Sequence, residues 1–201
     1  MVMLGIIGKT RLCLSNDTSI DHIQRTGMDI QAHGGGGLYG QTDNVFYKFV
    51  ILHAERDIQE AMRIKNMLEE EFQIKPGIIF DDMPAGQHIM KALDNAINGS
   101  AWTILLLTEN FLKEAWCEFQ SHATLMNSIN MHHKYNTVIP VRPKKNFLPR
   151  EKTPFILRLI NALEEGRPAF IQQVHKTFQE EMYQKQHSIW RAERSFRQAV
   201  F

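Results

Sequence analysis

From residue 45 onward, short runs of consecutive apolar residues alternate with stretches in which apolar residues recur every three or four positions. The runs at 47–52, 78–80, 101–107 and 137–141 hold few polar residues, the mark of strands covered on both faces. After the first run, Ile58, Ala61, Met62, Leu68 and Phe72 keep helical spacing until Pro76-Gly77 ends the pattern, with Asp57 placed as cap and Glu60 as its reciprocal acceptor. Ile89, Leu93, Ala96 and Ile97 make a second helical stripe, and Leu112, Ala115, Trp116, Phe119 and Ala123 a third. Thr153-Pro154 reads as a helix start before Phe155, Ile156, Leu159, Ile160 and Leu163. A weak fifth strand is expected at 169–171. From Gln172, the positions of Val174, Phe178, Met182, Ile189 and Trp190 predict one long amphipathic helix.

Strands alternating with helices require right-handed crossovers. The expected fold class is therefore α/β: a doubly wound five-stranded parallel sheet with helices on both faces. It would occupy residues 45–195. Before it, residues 1–44 lack any period and contain four consecutive glycines at 34–37, which predicts a flexible arm; residues 196–201 would be a short tail. In this architecture ligands and partners meet the loops that leave the carboxyl ends of the strands.

Composition narrows the function. A chain of 201 residues with 43% apolar content can build one core. With 23 basic against 22 acidic residues, no global field draws it to nucleic acid, so charge recognition must be local. Cys13 and Cys117 are far apart, which argues for free thiols in a reducing compartment. The run at 101–107 is far below the roughly 20 residues that span a bilayer, and the N-terminus lacks a long apolar signal region. A cytosolic or peripheral location is expected.

No sequence pattern calls for a catalytic residue, a cofactor or a metal. Residues 5–10 match a P-loop only in their last three positions, and the glycine run lacks dinucleotide spacing after a strand. His122, His132 and His133 have no cysteine or carboxylate at ligand spacing. The third run ends Leu107-Thr108, without the aspartate a phospho-acceptor needs.

The sharpest local pattern is 76–86, Pro-Gly-Ile-Ile-Phe-Asp-Asp-Met-Pro-Ala-Gly. Pro84 fixes one φ and Gly86 opens φ values that other residues resist. Asp81, Asp82, Met83, Pro84, Ala85 and Gly86 thus form an acidic loop that can protrude and lose little entropy on docking. Glu55 and Asp57 are read as a secondary acidic site, with Arg56 between them. Arg142, Lys144 and Lys145, followed by Arg150 and Lys152 among three prolines, are read as a basic counter-surface.

These residues carry a resemblance. Residues 47–54 resemble box 1 of the Toll/interleukin-1 receptor (TIR) domain, and residues 80–86 resemble box 2, the BB loop. Residues 101–111, the pair Trp116-Cys117 and Trp190 are also similar to the family, and the likeness covers about residues 45–195. It implies a flavodoxin-like fold and a BB loop that contacts other TIR domains. Within the family the chain is similar to adaptors that link an activated Toll-like receptor, by resemblance Toll-like receptor 4, to the downstream adaptor TRIF. Self-association, type I interferon and inflammatory signalling, and residence on plasma and endosomal membranes are implied with it. Such adaptors carry a myristoylated glycine after the initiator Met, whereas Val2 follows Met1 here; Cys13 is the remaining candidate for lipidation. Some TIR domains hydrolyse NAD with a glutamate three residues after the Cys of the Trp-Cys pair. Here that position is Gln120, and Glu118 lies roughly 200° round the helix from it. An amide cannot serve as the carboxylate, so the resemblance implies an adaptor rather than an NAD hydrolase.

Overall fold

The computed structural model describes residues 45–199, with side chains through residue 196; the arm at 1–44, including Cys13, lies outside the described residues. Five parallel strands form one sheet in the order β2-β1-β3-β4-β5, from β1 (Tyr47–Leu52), β2 (Gly77–Ile79), β3 (Ser100–Leu106), β4 (Val138–Arg142) and β5 (Leu163–Glu164). The helices are α1 (Ile58–Asn66), α2 (Ile89–Asn98), α3 (Ala115–Asn130), α4 (Phe155–Arg158), α5 (Phe170–Thr177) and α6 (Glu180–Ala199). The expected doubly wound sheet is therefore present.

Alternation along each strand splits the core in two. Phe49, Ile51, Trp102, Ile104, Leu106, Ile139 and Val141 pack with Ala61, Ile64 and Leu68 on one side, joined by Phe170 and Val174. Val50, Leu52, Leu105, Leu107 and Val138 pack on the other with Leu93, Ala96, Ile97, Cys117 and Leu157. Gly77 is demanded by close approach, since a Cβ there would stand 2.1 Å from the Phe49 ring.

At the amino end of the sheet, Phe46 stacks on Tyr183 and His187 and leans on Trp190, and the Tyr183 hydroxyl donates to the Phe46 carbonyl at 3.0 Å. Those contacts hold α6 to a strand more than 130 positions away. Lys134 is buried beside them. Its ammonium donates to the carbonyls of Ile97 and Ser100 and sits 5.6 Å from the Phe46 ring centre. Burial pulls its pKa down to about 7.

Five expectations change. The fifth strand is Leu163–Glu164, whereas 169–171 lead into α5: Phe170 is buried while Ile171 is 59% exposed, and three apolar residues cannot declare a period. The helix expected from Thr153-Pro154 through Leu163 ends at Arg158. The single C-terminal helix is two, broken at Phe178, and the second runs through Ala199, past the boundary drawn at 195. In α3 the buried face is Cys117, Gln120, Ser121 and Thr124, while Leu112 and Phe119 of the expected stripe are exposed. The hydroxyls of Ser121 and Thr124 bond carbonyls four residues back at 2.8 and 2.7 Å, so these small polar residues enter the interior satisfied. Ile89, assigned to the α2 stripe, is likewise 51% exposed.

Candidate functional site

The strand order reverses between β1 and β3, so the loops leaving β1, β2 and β3 converge at one end of the sheet. After β2, Phe80–Asp82 forms a 3-10 turn closed by the Met83 amide donating to the Phe80 carbonyl at 3.1 Å. Met83 turns inward and packs on the core, as does Phe80, whose ring lies 6.2 Å from that of Trp116. With both ends held, Asp81, Asp82, Pro84, Ala85 and Gly86 are left exposed. Gly86 has φ +83 with open space around it, so backbone strain rather than crowding selects glycine there. His88 then starts α2, its Nδ1 accepting from the Met90 amide at 3.3 Å.

His53, at the end of β1, is buried with Nδ1 2.8 Å from the Ala54 carbonyl, which fixes that nitrogen as the donor. Its Nε2 faces Asp81 at 4.0 Å.

The secondary acidic pair divides. Glu55 is exposed, and its amide donates to Glu114 at 3.1 Å. Asp57 is buried: its carboxylate accepts from the Thr108 hydroxyl and, at 2.8 Å, from the Asn110 amide. It therefore ties the β1 loop to the β3 loop instead of extending an acidic surface. Nor does it cap α1 through its side chain, and Glu60 pairs with Arg63 instead of reciprocating.

The basic group divides the same way. Arg142 is buried, donating to the Leu148 carbonyl and the Thr153 hydroxyl at 3.0 Å each, with Glu164 at 3.4 Å. It braces the connection from inside and leaves the counter-surface. Lys144 and Lys145 remain exposed, Lys144 Nζ lying 3.8 Å from Glu165.

Gln120 is 1% exposed, and neither amide atom has a hydrogen-bond partner among the described residues. Cys117 lies on the same buried face; burial, reinforced by Glu114, pushes its thiol up to about 12, which leaves it a poor nucleophile. Among the described residues no three His, Cys, Asp or Glu side chains are placed to hold a metal ion.

One feature escaped the sequence reading: a groove of about 440 Å³ runs between the acidic loop, α2 and the far end of α6, with Asp82, Pro84, Lys91, Trp190 and Arg194 on its walls. Nothing in local periodicity joins residue 84 to residue 190. Only the late tryptophan hinted at a fixed position for α6.

Comparison with known proteins agrees with this geometry. The family profile described as TIR domain matches residues 49–182. The human protein named TIR domain-containing adapter molecule 2 is 57% identical over 159 residues, 79% of this chain and 68% of its own length. The Bos taurus protein named TIR domain-containing adapter molecule 1 is 32% identical over 78% of this chain and 21% of its own length. Among solved structures, the TIR domain of the Toll-related receptor TRR-2 from Hydra magnipapillata superposes with a TM-score of 0.52 at 19% identity, covering 66% of this chain and 98% of that one, a likeness of fold alone. The chain belongs to the TIR domain family and, within it, to the TIR domain-containing adapter molecules.

Proposed function

We propose that the chain is a non-enzymatic signalling adaptor whose exposed loop, Asp81 to Gly86, docks on other TIR domains. By resemblance it bridges an activated Toll-like receptor, Toll-like receptor 4, to TRIF, and feeds interferon and inflammatory signalling. One observation carries this reading: the loop is anchored at Phe80 and Met83 yet leaves two carboxylates and a Pro-Ala-Gly tip in water. A surface held this firmly binds without first having to be ordered. Trp116 and Phe119 stack at 5.4 Å beside the loop root, and Phe119 is 38% exposed, so an aromatic shoulder adjoins the acidic tip.

The chemistry of α3 speaks against NAD hydrolysis, because a buried amide at position 120 offers no carboxylate to an oxocarbenium-like centre. Glu118 is exposed on a different face of the helix. Purified protein should leave NAD intact.

The deciding variant is Pro84→His. It should abolish capture of a Toll-like receptor TIR domain or of TRIF, with the circular dichroism spectrum unchanged. Undiminished capture by a folded variant would remove the loop from the interface.

A further inference from the structure

The connection between β4 and β5 carries a surface that the docking loop does not use. We propose that residues 144–159 form a contact face for anionic lipid bilayers, independent of the TIR-to-TIR reading above.

The face has a rigid base. Leu148 and Leu157 are each 1% exposed, Thr153 is buried, and Arg142 holds the Leu148 carbonyl and the Thr153 hydroxyl from beneath. Outside that base the apolar side chains point the wrong way for a core: Phe155 is 66% exposed, Leu159 65%, Phe147 48% and Ile156 43%. At about 100° per residue, Phe155, Leu159 and Ile156 share a single arc of α4 and its last turn, facing away from Leu157. Cations flank them. Lys144, Lys145, Arg150, Lys152 and Arg158 are all exposed, with Lys144 3.8 Å from Glu165. Against them stand two exposed carboxylates, Glu151 and Glu109, the backbone amide of Glu109 donating to the Asn146 carbonyl. The Arg158 guanidinium lies 5.7 Å from the Phe155 ring centre.

Protruding apolar groups ringed by cations suit the boundary of a charged bilayer, where the apolar groups enter between headgroups and the cations meet lipid phosphates. A second copy of the chain is the competing occupant, through its acidic loop. That loop offers the carboxylates of Asp81 and Asp82 on a stiff tip, enough for two of the five cations, and the groove beside it carries Lys91 and Arg194 on its walls, which repel the cations flanking the α4 arc. A bilayer matches every one of these groups without needing a complementary shape.

Cosedimentation of the full, unlipidated chain tests this, with vesicles of phosphatidylcholine alone or mixed equally with phosphatidylserine. Wild type should pellet with the mixed vesicles and not with phosphatidylcholine alone, and added salt should release it. Lys144→Glu with Lys145→Glu should weaken binding by about thirtyfold or more. Phe155→Ser with Leu159→Ser should weaken it as well, whereas Pro84→His should bind like wild type. These side chains are exposed, so circular dichroism should show every variant folded. Vesicle binding that ignores both double variants, or fails altogether, overturns the proposal. So does a Lys144→Glu/Lys145→Glu protein that loses lipid-free self-association while keeping its vesicle binding.

Discussion

The acidic loop at 80–86 and the basic connection at 143–159 are built from similar material, charges and prolines following a strand, yet they are held in different ways. The loop is held by its backbone and by Phe80 and Met83 at its root; none of its charges is needed for its shape. The connection is held by a charge, because the buried Arg142 guanidinium organises Leu148, Thr153 and Glu164 around itself. Charge of one sign in a short segment therefore splits into two populations. Buried members, Asp57 and Arg142, bond across the structure and hold it together; exposed members are left for partners, Asp82 and Lys145 wholly and Asp81 and Lys144 with only long contacts, at 4.0 Å to His53 and 3.8 Å to Glu165. Burying an ionised group without partners is so costly that a buried one is almost always committed.

The strongest challenge to this division is Arg142→Ala. It leaves the Leu148 carbonyl and the Thr153 hydroxyl without their donor, while Glu164 keeps Arg167 at 2.5 Å, and unfolding in denaturant should show a loss of about 2–4 kcal/mol. A loss below about 1 kcal/mol would return Arg142 to the surface population.

Lys134 extends the division to a third buried charge. Its pKa falls to about 7 in the folded protein but keeps its ordinary 10.5 when unfolded. Below about 7 both states hold the proton, and the folded state bears the burial penalty. Between about 7 and 10.5 this lysine binds more protons in the unfolded chain, so its contribution raises the unfolding free energy with pH by a few kcal/mol, opposed above about 9 by the Cys117 thiol, which ionises in the unfolded chain while burial keeps it protonated in the fold. Lys134→Met should lose most of that slope in denaturant titrations run across the range.

Gly86→Ala probes the loop's dependence on backbone alone. The left-handed φ should cost about 1–2 kcal/mol, and partner capture should fall as the tip distorts. A silent substitution would show that the tip is not held in that conformation. The smallest effects belong to the free charges: Asp82→Asn and Lys145→Ala should each move stability by less than about 0.5 kcal/mol. Any larger change would mean that these charges also serve the fold.

Much of the fold was legible because apolar runs and helical stripes report burial directly. The first four strands fall within a residue or so of the expected runs, and Pro84 with Gly86 marked the loop through backbone preferences that act locally. Legibility failed where burial and polarity parted company. In α3, Ser121 and Thr124 look like a solvated face but go inside because each hydroxyl finds a carbonyl on its own helix. Two-residue β5 is too short to show any period, and α4 shows its apolar arc to solvent although its pattern reads as core.

By itself, then, the amino-acid sequence determined what short-range physics controls: which segments are extended or helical, that the strands run parallel, where the chain turns stiffly at 84–86, and that position 120 holds no carboxylate. Tertiary structure decided which charges are free. Asp57 and Asp82 look alike in sequence, but Thr108 and Asn110, some fifty positions away, claim the first and nothing buried claims the second. A charge is committed or available according to its desolvation and its partners, and both are set only when distant segments meet.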